Sequence, residues 1–242
     1  MANQKEVDKW LSNFLKKLLN TFDKRLRFVG HHGSWARGEA KPGSDIDTIV
    51  VIDTIESEDL AAYRDIINSM PEGGKQASGV IFSVSELKAW PRTDLVQCYY
   101  GCKVLHGSLD GIVEKSTKMD FIQDIRLKAA ENLFHSRHYL VLPHDLVKVV
   151  HKLHYPFKYC FYALQSWMYL QNGRFILRKD EIIDALSDDD DKEVVRVARD
   201  WGKLAENLEK RPLYYIQLLE RWSRKMLHRL LEYDDHLKRG SH

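Results

Sequence analysis

The chain has 242 residues, of which 44% are hydrophobic, 30% charged and 11% aromatic. This composition is typical of a soluble globular protein and excludes long disordered regions. The 37 basic and 35 acidic residues give a formal net charge of +2, which argues against a dedicated nucleic-acid binder because phosphate contacts usually leave a strong basic excess.

The cysteines and the hydropathy pattern point to a cytoplasmic protein. Cys98, Cys102 and Cys160 lack the spacing of a disulfide framework or a zinc site, so we expect buried, reduced thiols. The sequence contains neither the uninterrupted apolar segment of a signal peptide nor a stretch long enough to cross a bilayer. The last four residues, 239–242, resemble the start of an engineered histidine tag and carry no functional inference.

The first part of the chain alternates helix and strand signals. Hydrophobic residues recur every three or four positions over residues 5–22, which predicts a helix. Residues 26–29 predict a strand that breaks at Gly30, and residues 45–52 predict a largely buried strand. The elements predicted next are a helix over 57–70, a strand over 80–84, and a short helix that Ser85 caps and that ends before Pro91.

The second part of the chain shows helix signals only. The predicted helices cover residues 121–140, 145–171, 179–186, 190–209 and 212–234. Ser187, followed by the acidic residues 188–191, is typical of a helix N-terminus. The sequence therefore predicts an α+β protein with a small α/β domain over residues 1–118 and an all-α helical-bundle domain over 119–238.

Residues 33–47 carry most of the chemical information. A Gly33-Ser34 turn after a strand can present backbone N–H groups and a hydroxyl to an anion. Asp45 and Asp47 are one residue apart at the start of a strand, so their carboxylates are expected on one face. Mg²⁺ binds one or two protein carboxylates together with substrate phosphate oxygens. The pattern indicates a nucleotide and metal site for phosphoryl or nucleotidyl transfer.

Residues 30–52 resemble the signature of the DNA polymerase β-like nucleotidyltransferase superfamily, a Gly-Ser turn followed by an Asp-x-Asp strand. The agreeing segments are Gly33-Ser34, Ala36-Arg37-Gly38, Ser44-Asp45-Ile46-Asp47 and the apolar run Ile49 to Ile52. The resemblance implies a mixed sheet with helices in the first domain. The two-domain plan is closest to that of the aminoglycoside and lincosamide nucleotidyltransferases.

The resemblance also implies roles for individual residues. The implied roles are Mg²⁺ binding and catalysis for Asp45 and Asp47, and binding of the triphosphate for Gly33, Ser34, Arg37 and Ser44. The guanidinium of Arg37 suits phosphate because it is a permanently charged planar fork. The alternative for Arg37 is a salt bridge with Glu39 or Asp45.

One position departs from the pattern of the superfamily, whose members usually carry a third carboxylate on a later strand. Here that position holds Ser78 or Gly79, and neither residue can act as a base or as a charged ligand. The helical domain supplies the carboxylate, or the enzyme is slow, or catalysis has been lost. By analogy with small antibiotic nucleotidyltransferases, Glu131 and Asp145 are the first candidates, followed by Glu181.

Basic residues of both domains are further candidates. Lys148 and Lys152 are predicted to reach the triphosphate, because helical domains of this superfamily commonly send a lysine there; the alternative is a solvated helix face. The histidines between residues 135 and 154 could form a zinc site or line a polar cleft. Strand alternation predicts that one residue of His31-His32 faces the core and the other the site, without deciding which.

The sequence thus predicts Mg²⁺-dependent transfer of AMP from ATP to a hydroxyl of a small molecule such as an antibiotic, with release of pyrophosphate. The expected ligands are Mg²⁺, ATP or another nucleoside triphosphate, and a small hydroxyl acceptor; a homodimer is also considered, and nucleic acid is disfavoured by the charge balance. One alternative is the same chemistry on a protein or RNA partner, as in antitoxin-like nucleotidyltransferases. The other is a catalytically impaired nucleotide-binding protein.

Overall fold

A computed structural model describes residues 3–239, with side chains described to residue 234. The chain divides between Ser116 and Thr117 into two units. The first unit contains a sheet with helices, and the second is helical. Of the residues interpreted as a tag, 240–242 lie outside the described residues.

As far as residue 89, the first unit follows the helix and strand order expected from the sequence with one addition, a short helix over Gly33–Arg37 where a turn was predicted. Its elements are α1 (Gln4–Phe22), β1 (Leu26–His32), α2 (Gly33–Arg37), β2 (Ile46–Ile52), α3 (Ser57–Asn68), β3 (Ala77–Ser83), α4 (Val84–Ala89), α5 (Arg92–Gly101) and β4 (Lys103–Gly107). The predicted break of β1 at Gly30 is wrong. Gly30 pairs with Ile49 on one side and with Val104 on the other, so the strand continues through it to His32.

The start of α4 also differs from its prediction, because the capping residue is Ser83 and not Ser85. The Ser83 hydroxyl accepts a hydrogen bond from the backbone N–H of Glu86 at 3.2 Å. The Glu86 carboxylate in turn accepts from the backbone N–H of Ser83 at 2.7 Å, which completes a capping box. Glu86, an acidic residue close to the predicted site in sequence, is therefore engaged in the helix cap.

The strands form one mixed sheet in the order β3-β2-β1-β4. Strand β1 runs antiparallel to β2 and β4, whereas β2 and β3 are parallel. The C-terminal end of β1 therefore lies beside the N-terminal ends of the other three strands. The residues of the first unit that the sequence predicts to bind nucleotide and metal lie near this end of the sheet.

Apolar side chains cover both faces of the sheet and hold it in place. On one face, Val50 packs in a cluster with Phe14 of α1 and Ile66 of α3. On the other face, Ile49 packs in a cluster with Leu95 of α5. Burial of apolar surface on both sides fixes the strand register, because a shift by one residue would turn these side chains to the wrong faces.

The second unit consists of helices around one core. The elements are α6 (Lys118–Val141), α7 (Leu146–Val150), α8 (His154–Asn172), α9 (Lys179–Ala185), α10 (Asp189–Asp200), α11 (Ala205–Lys210) and α12 (Pro212–Arg239). The helices predicted over 145–171 and 190–209 are each interrupted by a short 3-10 turn. The aromatic stretch of α8 contributes to the core, where Phe157 and Phe161 are fully buried.

The N-terminus of α10 is capped by Asp188 and not by Ser187. The Asp188 carboxylate accepts hydrogen bonds from the backbone N–H groups of Asp190 and Asp191, at 3.0 and 3.2 Å. The acidic residues 188–191 therefore lie at the N-terminus of α10, as the sequence predicted, and the capping residue is one position later than Ser187. Among the described residues, no helix combines the length and apolar character that a bilayer-spanning segment requires.

Candidate nucleotide and metal site

The turn between β1 and α2 brings two predicted site residues into contact. Strand β1 ends at His32 and α2 begins at Gly33 without an intervening loop. Gly33 has a φ of +76°, in the left-handed region that favours glycine. A Cβ atom built on Gly33 would lie 1.8 Å from Oδ2 of Asp47. The Asp47 carboxylate thus lies directly against the backbone of the turn, in space that any side chain at position 33 would occupy.

The register of the sheet determines which way Asp47 points. Asp47 lies opposite His32 in the antiparallel pair of β1 and β2. Along β2, the side chain of Asp47 lies on the face opposite that of Ile46 and on the same face as that of Ile49. Ile49 packs in the cluster that includes Leu95 of α5. Asp45 precedes β2 by one residue and is exposed. The strand therefore orients the carboxylate of Asp47. The expectation that the carboxylate of Asp45 lies on the same face stays a prediction.

The loop between α2 and β2 is held by hydrogen bonds to Ser44. The indole N–H of Trp35 donates to the carbonyl of Ser44 at 3.0 Å. The Ser44 hydroxyl accepts from the backbone N–H of Lys41 at 2.9 Å. Ser44 therefore fixes the segment that precedes Asp45, a contribution that the motif alone did not reveal. Its predicted contact with a triphosphate stays a prediction.

Arg37, the last residue of α2, forms a salt bridge with Glu39. The distance from Nε of Arg37 to Oε2 of Glu39 is 3.0 Å, and both side chains are largely buried. This is one of the two pairings that the sequence offered as alternatives to phosphate binding. A role of Arg37 toward the triphosphate stays a prediction.

The two histidines before the turn have different surroundings, which answers a question that the sequence left open. His31 is buried, 2% exposed, and no described group hydrogen-bonds its Nε2 atom. Burial lowers the pKa of His31 to about 4, with a further contribution from Lys103. Burial also lowers the pKa of His32, against the opposing effect of Asp47. His32 is thus the histidine that lies beside the carboxylate.

The strand β3 places Ser78, and no carboxylate of its own, beside Asp47. In the parallel pair of β2 and β3, Ser78 is the residue next to Asp47. Gly79 has a φ of +129°, and a Cβ atom built on it would lie 1.9 Å from the carbonyl oxygen of Thr48. Position 79 therefore cannot carry a side chain in this conformation, and position 78 is the one that faces the site.

The carboxylates of the site suit a cation that takes its remaining ligands from a bound substrate. Within residues 3–239 no group of three or more His, Cys, Asp or Glu residues is arranged to hold a metal ion, and this includes the histidines of the second unit. Asp45 and Asp47 offer carboxylate oxygens, which Mg²⁺ prefers, and Mg²⁺ needs only one or two of them when phosphate oxygens complete its shell. These two residues fit Mg²⁺ bound together with a nucleotide.

The remaining candidates belong to the second unit. Glu131 is exposed and lies 3.9 Å from Nε2 of His135. Asp145 caps α7, where a hydrogen bond from the backbone N–H of Lys148 lowers the pKa of the carboxyl group. The Lys148 ammonium lies 3.4 Å from Asp145, and Lys152 is exposed in the following 3-10 turn. The structure shows local pairing for three of these residues, and their roles toward a nucleotide stay predictions.

A pocket of about 550 Å³ lies elsewhere in the first unit. Its lining residues are Lys88, Trp90, Arg92, Leu95, Asp110, Gly111, Ile112, Val113, Glu114 and Lys115. Trp90 packs edge-on against Phe82 with ring centroids 5.0 Å apart. Phe82 is four residues along β3 from Ser78, a separation of about 13 Å. None of the predicted site residues lines this pocket.

One comparison with known proteins, the match to a family model, agrees with the interpretation of the motif. Residues 9–121 match the family model described as a nucleotidyltransferase domain. No protein of curated function matches the sequence. Among solved structures, the chain is similar to spectinomycin adenyltransferase AAD(9) from Enterococcus faecialis, solved with ATP and spectinomycin, at 14% identity over 88% of this chain and 98% of that chain, with a TM-score of 0.49. The family match confirms the resemblance that the motif predicted.

The contact between Gly33 and Asp47 predicts different outcomes for two alanine substitutions. Gly33→Ala and Gly38→Ala both place a side chain at positive φ, +76° and +70°, which costs about 1–2 kcal/mol in each. Only Gly33→Ala displaces the Asp47 carboxylate, since a Cβ on Gly38 meets nothing within 4 Å. We expect calorimetric Mg·ATP binding to weaken at least about tenfold, or 1.4 kcal/mol, in Gly33→Ala alone. Equal binding by both variants would contradict this geometry.

Because His31 is buried, we expect the folded protein to lose stability in mild acid. Its pKa is about 4 in the folded state and 6.5 in an unfolded chain, so between these values only the unfolded chain takes up the proton. We expect the free energy of unfolding to fall by about 3 kcal/mol between pH 6.5 and 4 from this group, with no contribution above pH 6.5. Urea titrations of wild type and His31→Gln at several pH values measure it. Equal pH slopes in the two proteins would disprove the assignment.

Proposed function

Because residues 9–121 match a nucleotidyltransferase domain, we propose that this protein transfers a nucleoside monophosphate, AMP from ATP, to a hydroxyl of a small molecule and releases pyrophosphate. The observation that carries the proposal is the Asp47 carboxylate lying against the Gly33 turn. A carboxylate beside a turn without a side chain lets a metal-bound phosphate approach the backbone closely.

In the proposed reaction, the residues of the first unit bind either the phosphates or Mg²⁺. The backbone and hydroxyl of the Gly33-Ser34 turn hold the β- and γ-phosphates, with support from Arg37 and Ser44. Asp45 and Asp47 hold Mg²⁺, which when bound supplies charge neutralisation for an in-line displacement at the α-phosphorus. Asp47 is already oriented by its pairing with His32 in the sheet, so little ordering is required when the nucleotide binds.

The charge balance supports a small acceptor. A net charge of +2 over 242 residues lacks the strong basic excess that is typical of proteins that bind long nucleic acids. A triphosphate does not need such a surface if Mg²⁺ and a few basic side chains neutralise it locally. An antibiotic hydroxyl is the acceptor class that the superfamily resemblance favours. The cytoplasmic location, the homodimer and the roles of Glu131, Asp145, Lys148 and Lys152 in transfer belong to the same proposal.

A second candidate function is nucleotide binding with little or no transfer. The position beside Asp47 holds Ser78, and its neighbour Gly79 has no room for a side chain. Glu86 is engaged in the cap of α4. A missing general base typically lowers a rate by about 100- to 10,000-fold. The first unit would then bind Mg·ATP without efficient chemistry.

Neutralising either of the two site carboxylates is expected to weaken nucleotide binding strongly. In Asp45→Asn and Asp47→Asn the charge that holds Mg²⁺ is lost, so we expect Mg·ATP affinity to fall at least about 100-fold. Asp65→Asn, which changes an exposed carboxylate on α3, serves as the matched control and should bind as wild type. Calorimetry with ATP, with and without Mg²⁺, measures the effect. Wild-type binding by both site variants would contradict the metal assignment.

Label transfer from α-labelled ATP distinguishes the acceptors. We expect label on a compound from a panel of aminoglycosides, lincosamides and other hydroxyl compounds, with release of pyrophosphate. Label on protein or RNA would instead favour the antitoxin-like alternative. Tight Mg·ATP binding without pyrophosphate release for any acceptor would favour the second candidate function.

Position 78 offers a test of the second candidate function. Ser78 is the neighbour of Asp47 across the strand pair, so Ser78→Asp is expected to supply the missing carboxylate. If chemistry is limited by the absent base, the rate of pyrophosphate release should rise by about tenfold to 100-fold while Mg·ATP affinity changes little. Ser78→Asn, which has the same size without the charge, is the control. An equal rate in both variants would show that position 78 does not limit the reaction.

A further inference from the structure

The pocket of about 550 Å³ in the first unit has no part in the proposed nucleotidyl transfer. Small-molecule sites are typically pockets of about 300–1,000 Å³, so its size is sufficient for a ligand. Its lining comes from residues 88–95, which follow β3, and from residues 110–115, which follow β4. Both segments begin near the edge of the sheet opposite to the Gly33 turn. The pocket is therefore separate from the nucleotide site.

Hydrogen bonds and apolar packing hold the segment after β4 in place. The hydroxyl of Tyr99 in α5 donates to the Asp110 carboxylate at 2.6 Å. The backbone N–H of Val113 donates to the carbonyl of Leu109 at 2.9 Å. Leu109 and Val113 are both buried in the cluster that contains Leu95 of α5. The two sides of the pocket are thus fixed to each other, and a ligand binds without the cost of ordering them.

The apolar part of the lining includes an accessible indole ring. Trp90 packs edge-on against Phe82, with ring centroids 5.0 Å apart, and is still 42% exposed. Leu95, Ile112 and Val113 add aliphatic surface to the pocket. An aromatic ring gains from such a lining in two ways, because it buries apolar area and also stacks on the indole.

The charged part of the lining favours an anion. The basic and acidic residues that line the pocket are Lys88, Arg92, Lys115, Asp110 and Glu114. Both carboxylates are engaged, since Glu114 forms a salt bridge with Arg92 and Asp110 accepts hydrogen bonds from two hydroxyl groups. Within the side chains that the structure describes, neither Lys88 nor Lys115 forms a hydrogen bond or a salt bridge. A ligand anion would give these ammonium groups a partner.

We propose that this pocket binds a small molecule that carries a carboxylate on an aromatic ring system. The ring lies against Trp90 and the aliphatic side chains, and the carboxylate pairs with the ammonium groups of Lys88 and Lys115. Because the lining has three basic and two acidic residues, its excess of one positive charge suits a singly charged group better than a phosphate. The site does not depend on the proposed function.

Calorimetric titration of the full chain with indole-3-acetate tests the site. We expect one saturable site with a Kd below about 1 mM. Two related compounds each lack one of the required features: indole-3-acetamide has no charge, and cyclohexaneacetate has no aromatic ring. Each should bind at least about tenfold more weakly than indole-3-acetate. No saturable binding of indole-3-acetate, or equal binding of all three compounds, would overturn the proposal.

Lysine variants connect the binding to this pocket. The double variant Lys88→Gln with Lys115→Gln removes both unpaired charges, so we expect it to bind indole-3-acetate at least about tenfold more weakly. Lys75→Gln changes an exposed lysine of the same unit outside the pocket and is the matched control. Added salt should weaken binding by wild type and have little effect in the double variant, because salt screens the lysine charges. Equal affinities in the double variant and the control would overturn the proposal.

Two further variants test the indole and the location. Trp90→Ala should weaken binding by about fivefold, and Trp90→Phe, which keeps a ring, by less. Equal affinities in wild type and both variants would contradict the stacking on Trp90. If circular dichroism shows that Trp90→Ala does not fold, the lysine variants decide, since they change exposed side chains. Asp47→Asn should bind indole-3-acetate as wild type does, and a loss there would place the compound in the nucleotide site and overturn the proposal.

Discussion

The close approach of the Asp47 carboxylate to the Gly33 backbone is the constraint on which the candidate site depends. It requires a residue without a side chain at positive φ, a strand that runs into a helix without a loop, and a cross-strand pair that aims the carboxylate at the turn. Each requirement is met by a different level of structure: residue type, local element order and sheet register. The apolar clusters on both faces of the sheet keep that register in place.

The sequence identifies candidate residues for this site more readily than it identifies their surroundings. The Gly33-Ser34 turn and the Asp-x-Asp strand stand out because backbone phosphate binding and paired carboxylates restrict residue types strongly. The assignment of His31 to the core and His32 to the site was not predictable, since alternation along a strand shows that neighbours face opposite ways without showing which face is buried. The hydrogen bonds that tie Trp35 and Lys41 to Ser44 depend on loop geometry, which has no periodic signal.

The same contrast holds for the fold. The long helix α1 and the buried strand β2 have strong periodic or continuous apolar patterns, and their predictions were confirmed. The helix and the strand at 92–107 are not predicted from the sequence, because α5 is polar and aromatic on several sides and β4 is short and half-exposed. Glycine at position 30 suggested a break because glycine favours turns, but the neighbouring strands on both sides supply hydrogen bonds that keep it extended.

The direct passage from β1 into α2 has a consequence for changes in chain length. Because the strand, the turn and the opposing carboxylate share one hydrogen-bonded ladder, one residue inserted or deleted between Leu26 and Gly33 would move the turn past Asp47 or reverse the faces of the strand. The loop from Gly38 to Gly43 lies outside that ladder, and these two glycines have open space around them. A change in length at Gly38 or Gly43 therefore leaves this ladder in register, whereas a change in the turn does not.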